Sequence, residues 1–262
     1  MNAIAAIARN TLREAIRDKV LYALVFFALA GLCFTLVLGE MSLGEQERLT
    51  LDLGLAALSL FGVLIAVFLG VSLLYKELER KTVYVILPKP MHRWQFVIGK
   101  FAGMVATLCL LVALMGAALC GLLLLQRASL DGALARAILL CLLEIVVVTA
   151  IAIFFSSWSS PFLSGLFTLG VFVLGRNADE IAALATRAGD TAVGLVLRAL
   201  AACLPNLNLF YVSGSEVEGK YVSVHGAFVD WGYVGVAGGY AALYLWAALG
   251  AAVLLFRKRD LV

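Results

Sequence analysis

The sequence predicts an all-α integral membrane protein with six transmembrane helices and with both ends of the chain in the cytoplasm. Hydrophobic residues make up 63% of the 262-residue chain and charged residues only 14%, whereas soluble domains are about half apolar and a quarter charged. The apolar residues lie in uncharged runs long enough to cross a bilayer, and basic residues cluster at the ends of these runs. We therefore expect a single transmembrane domain over residues 1–262.

The N-terminal element, residues 1–19, is predicted to be an amphipathic helix. Arg9, Arg13 and Arg17 recur every four residues, opposite a face of Ile, Leu and Ala side chains. This pattern favours a helix that lies on the membrane surface over a plain extension of the first span. A cleaved secretory signal is disfavoured, because bulky Leu32 stands where a small residue would have to precede Cys33 and because further spans follow.

Four of the six spans are uncharged runs separated by polar segments. At about 1.5 Å per residue, each run is long enough to cross a hydrocarbon core of about 30 Å. The runs cover approximately residues 20–38, 53–75, 101–125 and 231–256.

The fourth and fifth spans are predicted from one longer run. Between Arg136 and Arg176 the only charged residue is Glu144, and a single helix of that length would be about 60 Å long, twice the hydrocarbon core. Pro161 follows a serine-rich stretch at the midpoint. Because proline lacks an N–H and disfavours helix in the residue before it, we expect two spans joined by a tight hairpin.

The distribution of basic residues predicts the orientation. With the N-terminus inside, residues 1–19, 76–100 and 257–262 hold 13 of the 20 Lys and Arg residues, and the opposite segments hold the other seven with 11 of the 17 acidic residues. This bias satisfies the positive-inside rule and indicates a multi-pass protein of the inner (plasma) membrane. A nucleic-acid partner is disfavoured, because the basic residues lie at span ends instead of on one polar face.

The longest polar insert, residues 177–230, is predicted to be an extracytoplasmic segment with amphipathic helical structure. Residues 178–204 have a helical pattern, either unbroken or in two pieces separated near Gly189. Arg198 argues against a further span, because a charge at bilayer depth is costly.

Glu144 is the intramembrane polar residue that the sequence singles out, about eight residues into the fourth span. Acidic residues inside spans are candidates for function by default. Three interpretations stay open: a protonated side chain bonded to a neighbouring helix, a group near an outer vestibule, or a group that lines a substrate path or mediates subunit contact.

No catalytic residue and no metal site is predicted. Zinc-protease and serine-hydrolase motifs are missing, the chain has only two histidines, and its five cysteines show no CxxC spacing. Gly99-Lys100 resembles part of a phosphate-binding loop, but Trp94 replaces the required glycine and Phe101 the required Ser or Thr. The chain is therefore predicted not to be an enzyme, and any ATPase that drives it is another polypeptide.

The charge-dense stretch over residues 76–101 lies between the second and third spans. Pro88 and Pro90 predict a turn between two helical pieces, which gives a rigid projection that a partner protein could bind. Gly99 and Gly103 form a GxxxG pattern, which indicates either close approach of a neighbouring helix or ordinary packing.

The order of motifs in this stretch resembles that of the ABC type-2 transporter permeases. That family has a Glu-rich stretch with Gly-Thr, then Leu-Leu-x-x-Pro, Ser-Arg and Gly-Lys; here Lys81 and His92 replace its usual Gly and Ser. The resemblance covers the whole chain and is greatest to the six-span branch with the permease of nitrous-oxide-reductase maturation. The similar residues are 77–82 (Glu-Leu-Glu-Arg-Lys-Thr), 86–90 (Ile-Leu-Pro-Lys-Pro), Arg93-Trp94, Gly99-Lys100-Phe101, the N-terminal Arg-x-x-x-Arg-Glu, Ser160-Pro161, Leu204-Pro205-Asn206 and the basic ending.

The resemblance implies the transmembrane half of an ABC exporter. A coupling helix within residues 76–100 would dock on an ATPase subunit that binds ATP and Mg²⁺, and the permease itself would bind no cofactor. Two ATPases would pair with two permeases, either a homodimer or a heterodimer with a second permease. The implied coupling residues are Glu77, Glu79, Arg80, Lys81, Thr82 and Arg93, with Arg9 and Arg13 of the N-terminal elbow helix nearby.

Two other functions are open at this point. The chain could be an ATPase-driven scaffold that transmits movement to an extracytoplasmic protein partner through residues 177–230. It could also be a stand-alone secondary transporter, although that class predicts inverted repeats or polar residues in several spans. Membrane lipid is a partner in every case, and the substrate cannot be read from the sequence.

Overall fold

A computed structural model describes residues 3–40, 46–79, 93–127, 132–189, 191–211, 215–217, 220–222 and 230–258. Within these ranges the chain forms nine α-helices and one short pair of strands. The elements are α1 (Ala3–Ile16), α2 (Lys19–Glu40), α3 (Gln46–Glu79), α4 (Arg93–Leu125), α5 (Gly132–Ser156), α6 (Pro161–Arg176), α7 (Ala178–Arg187), α8 (Ala192–Cys203), a 3₁₀ turn (Asn208–Phe210), β1 (Ser215–Val217), β2 (Lys220–Val222) and α9 (Trp231–Lys258).

Five of the described helices, α2, α3, α4, α5 and α9, are long and apolar enough to cross a membrane. The fifth predicted span corresponds to α6, which is apolar but only 16 residues long. At about 1.5 Å per residue it extends about 24 Å, short of a hydrocarbon core of about 30 Å. Six crossings and the N-in, C-in orientation therefore stay predictions.

The centre of the bundle is formed by α3 and α5, which pack side by side. In each of them 67% of the most apolar stretch is buried within the protein, compared with 22% in α2 and 11% in α9. The peripheral helices expose large apolar side chains such as Phe26 and Trp246. That pattern suits helices whose outer faces contact lipid chains.

The two ends of the bundle are marked by different contacts. At one end the amide Nε2 of Gln126, just after α4, donates to Oγ1 of Thr50 in the first turns of α3 at 2.9 Å. At the other end, about 40 Å along α4, helix α1 packs against Gly99 and Gly103. The end that carries α1 is the one predicted to be cytoplasmic.

The break predicted at Pro161 is confirmed. Helix α5 ends at Ser156 and α6 begins at Pro161, which takes the first helical position, where its missing N–H costs no hydrogen bond. The two helices pack against each other as a hairpin.

Of the two interpretations of residues 178–204, two helical pieces separated near Gly189 is the one observed. Gly189 has a φ of +60°, a left-handed conformation that favours glycine, and it separates α7 from α8. Thr191 caps α8 by accepting a hydrogen bond from the Gly194 N–H at 3.2 Å.

The described chain is helical as predicted, except that residues 215–217 and 220–222 form two short strands. Strands β1 and β2 pair antiparallel there, with Val217 opposite Lys220. Only two residues separate the strands, and the stretch contains β-branched and tyrosine side chains, which favour a hairpin over a helix.

Candidate functional site

Three polar side chains meet in the interior of the bundle, each from a different helix. The Ser59 hydroxyl on α3 donates to Oε2 of Glu144 on α5 at 2.7 Å. Nη1 of Arg176, the last residue of α6, donates to Oγ of Ser59 at 2.9 Å and lies 3.3 Å from Oε1 of Glu144. We call Ser59, Glu144 and Arg176 the polar cluster.

Two members of the polar cluster, Ser59 and Glu144, lie well inside helices that are long enough to cross a membrane. Ser59 is 13 residues into α3 and Glu144 is 12 residues into α5, which places both about 18–20 Å from the starts of their helices. Both side chains are fully buried. At that depth water cannot solvate an ionised carboxylate, so its partners must come from the protein.

Aromatic rings complete the surroundings of the arginine. The guanidinium carbon of Arg176 lies 3.7 Å from the ring centroid of Tyr211 and 5.6 Å from that of Phe172. A cation over the face of an aromatic ring is attracted to it, and the attraction increases when water is excluded. The arginine is thus held by a carboxylate, a hydroxyl and two rings.

These contacts bear on the interpretations of Glu144. The carboxylate is bonded to the neighbouring helix α3, as one interpretation required, and it also pairs with Arg176, which is not among the predicted site residues. Its role in a substrate path or a subunit contact stays a prediction. Among the described residues, no group of three His, Cys, Asp or Glu side chains is placed to hold a metal ion.

Arg176 could have been found from the sequence. Trp158 marks the turn of the α5–α6 hairpin, and Glu144 and Arg176 lie 14 and 18 residues to either side of it. Antiparallel helices of equal rise bring such positions to similar depths. Ser59 carries no comparable signal, because small hydroxyl residues are common in apolar helices.

The end of α6 is also clamped by the segment that follows α8. The Leu207 N–H donates to the carbonyl oxygen of Gly175 at 2.9 Å. A Cβ added at Gly175 would lie 2.6 Å from the carbonyl oxygen of Pro205, so only glycine admits this approach. Leu207 and Phe210 are fully buried.

Asn206 ties this segment to two further helices. Its backbone N–H donates to the Tyr240 hydroxyl on α9 at 2.7 Å, and its Nδ2 donates to Oδ1 of Asp179 on α7 at 2.7 Å. Asn208 Nδ2 donates to the other oxygen of Asp179 at 2.9 Å. The Leu204-Pro205-Asn206 motif therefore joins α6, α7 and α9 into one unit.

The predicted elbow helix packs against the start of α4. A Cβ added at Gly99 would lie 2.8 Å from Cβ of Ile7, and one at Gly103 would lie 2.6 Å from the carbonyl oxygen of Ala8. Of the two interpretations of this GxxxG pattern, close approach of a helix is the one observed. Arg9 and Arg13 are exposed on the opposite face.

A buried lysine strengthens this α1–α4 contact. Lys100 is only 1% exposed, and its Nζ lies 3.6 Å from Oε2 of Glu14 on α1. Lys100 is one of the basic residues that predict a cytoplasmic 76–100 segment, and the structure buries its side chain against α1. A buried lysine requires such a partner, because an unpaired charge would be costly there.

The predicted coupling residues lie at the ends of two helices or between them. Glu77 and Glu79 belong to the last turn of α3, and Arg93 is the first residue of α4. Arg80, Lys81 and Thr82 lie outside the described residues. The coupling assignment stays a prediction.

Comparison with known proteins supplies the family. A family model described as ABC-2 family transporter protein matches residues 5–261, nearly the whole chain. No individual curated protein matches the sequence. The particular six-span branch suggested by the motifs therefore stays a prediction. Several apolar membrane-length helices are in keeping with a multi-pass membrane protein, and the chain belongs to the ABC-2 family of transporter proteins.

Proposed function

We propose that the chain is the permease subunit of an ABC exporter, driven by ATP hydrolysis on a separate ATPase subunit. The observation that carries this proposal is the family match over residues 5–261. ABC-2 permeases are membrane subunits, and no phosphate-binding loop occurs in this sequence. ATP and Mg²⁺ would then bind the partner, and this chain would supply the path across the inner membrane.

The helix geometry supports residues 76–100 as the ATPase-docking segment. Helix α3 is continuous over 34 residues and ends at Glu79, and α4 is continuous over 33 residues and begins at Arg93. Each is about 50 Å long, so a partner bound between them would act on the ends of two helices that cross the whole bundle. Charged side chains there would give the contact its specificity.

The stoichiometry we propose is two permease chains with two ATPases, the permeases being identical or homologous. ATP-driven closure of the ATPases would displace the docking segments, and the displacement would tilt α3 and α4. Helix α1 would move with α4, because it packs on Gly99 and Gly103 and pairs with Lys100.

A second function, movement of an extracytoplasmic protein, is favoured by a different observation. The segment around Asn206 is bonded to α7 and α9, and its neighbour Leu207 is bonded to the end of α6. Displacement of the bundle would therefore carry residues 177–211 with it. The two functions share the ATPase partner and differ only in whether a substrate crosses the membrane.

Co-expression with an ABC ATPase subunit from the same organism tests the proposal. A tag on the permease should retain the ATPase after solubilisation, and the purified complex should hydrolyse ATP. Replacement of the ATPase's phosphate-loop lysine is the control that assigns the activity to the partner. A permease that retains no ATPase would contradict the proposal and favour a stand-alone transporter.

A further inference from the structure

We propose that Ser59 is a positioning residue that couples the position of α3 to the Glu144–Arg176 ion pair, so that the polar cluster acts as a latch. The latch is closed in this structure and opens when the ATPase displaces α3. This inference rests on the proposed function for the opening step. Its closed state rests on the contacts alone.

Ser59 bridges the ion pair by using its hydroxyl in both directions. The oxygen accepts from Nη1 of Arg176 at 2.9 Å while the proton goes to Oε2 of Glu144 at 2.7 Å. The residue is fully buried. A shift of α3 along its axis or a rotation about it would break both hydrogen bonds together, because one oxygen atom serves both.

Ser59 is rigidly connected to the proposed docking end. Helix α3 continues unbroken for 20 residues from Ser59 to Glu79, which is about 30 Å. A displacement imposed at Glu79 is therefore transmitted to Ser59 by one helix, without an intervening hinge.

Glu144 and Arg176, in contrast, belong to the same helical hairpin. Helices α5 and α6 are joined by only four residues, 157–160, and pack against each other. When α3 moves, these two residues can stay paired, so no charge is stranded in the membrane. A neutral hydroxyl on α3 is thus suited to a contact that must break and reform, because its release costs less than separation of the ion pair.

The face of α6 that packs against the bundle supports a sliding contact with α3. Its buried positions carry small or hydroxyl side chains, Ser164, Thr168 and Gly175, together with Phe172. The large apolar side chains of α6, such as Phe162 and Leu166, are exposed on the other faces. In a membrane, packing and interhelical hydrogen bonds hold helices together, so the Arg176 contacts contribute to the attachment of α6.

Cys141 provides a native reporter of the latch. It lies one turn before Glu144 on α5 and is 3% exposed. In a variant with the other four cysteines replaced by alanine, the rate of Cys141 alkylation by N-ethylmaleimide in nanodiscs measures how often this site opens to water and reagent.

The first measurement uses the full-length permease without an ATPase. Ser59→Ala should raise the alkylation rate at least about tenfold, because it removes two hydrogen bonds to charged groups and the loss of either one alone corresponds to about that factor. Ser59→Thr, which retains the hydroxyl, should label more slowly than Ser59→Ala. The matched control is Thr50→Ala, which removes another interhelical hydrogen bond of α3, that to Gln126, and should leave the rate unchanged. Equal rates in Ser59→Ala and Thr50→Ala would overturn the latch.

The second measurement uses the wild-type sequence at position 59 in complex with its ATPase. Mg-ATP with vanadate should raise the Cys141 alkylation rate several-fold, and ADP should not. A complex that hydrolyses ATP but leaves the rate unchanged would overturn the opening step even if Ser59→Ala fails to fold. If the permease binds no ATPase, the proposed function is contradicted instead. The first measurement still decides whether Ser59 closes the latch.

Discussion

Nη1 of Arg176 lies 3.3 Å from Oε1 of Glu144, a residue 32 positions earlier in the chain. This pair joins the end of α6 to the middle of α5, at a depth where neither water nor lipid can compensate an isolated carboxylate. Glu144 is fully buried, whereas the Arg176 side chain is 21% exposed. We therefore expect the loss of Arg176 and the loss of Glu144 to change the free energy of unfolding by different amounts.

Removal of the arginine should cost more than removal of the glutamate. Arg176→Gln leaves a fully buried carboxylate without its cation and should destabilise the protein by about 3 kcal/mol or more. Glu144→Gln leaves a partly exposed arginine that still contacts Tyr211, so we expect a smaller loss. Reversible unfolding in SDS-containing mixed micelles measures both values.

The double variant Glu144→Gln/Arg176→Gln is the control for this comparison. It should be more stable than Arg176→Gln alone, because no unpaired charge is left. Additive losses in the double variant would show that the two residues do not interact.

The contact between α1 and α4 depends on the missing side chain of Gly103. Gly103→Ala introduces a Cβ 2.6 Å from the Ala8 carbonyl oxygen, so α1 must shift, at a cost of about 1–3 kcal/mol. Gly121→Ala on the same helix is the control, because nothing lies within 4 Å of its added Cβ. Unfolding measurements that show equal stability for both variants would contradict this packing.

The clamp on α6 can be tested in the same manner. Gly175→Ala places a Cβ 2.6 Å from the Pro205 carbonyl oxygen, whereas Gly170→Ala on the same helix meets nothing within 4 Å. We expect Gly175→Ala to lower the free energy of unfolding by about 1–3 kcal/mol and Gly170→Ala to change it little. Faster amide hydrogen exchange at Leu207, whose N–H donates to Gly175, should accompany the loss, and unaltered exchange would contradict it.

Local chemistry made some elements predictable and left others out of reach. The missing N–H of proline predicted the break at Pro161, and the conformational freedom of glycine made a break at Gly189 one of two interpretations. The ends of α6 follow as well, because Pro161 and Arg176 bound the apolar run, whereas only tertiary contacts show that its last residue meets Ser59.

The candidate site divides in the same way. Glu144 was identified because its carboxylate stands in an otherwise uncharged run. Its partners come from two other helices, and their positions depend on how far each helix is shifted along its axis and rotated about it. The burial of Lys100 could not be read from the sequence for a related reason. Its neighbours Gly99 and Gly103 admit α1, and the lysine is covered as a consequence.

Docking of an ATPase on residues 76–100 is the central claim, and charge reversal tests it most directly. The measurement is the affinity of the purified ATPase for nanodisc-embedded permease, with Glu79→Lys/Lys81→Glu compared with Glu47→Lys. Glu47 is the matched control, because it lies in the first turn of the same helix, at the opposite end. We predict that the double reversal weakens binding at least about tenfold and that Glu47→Lys does not change it. Equal affinity for all three proteins would contradict the docking assignment.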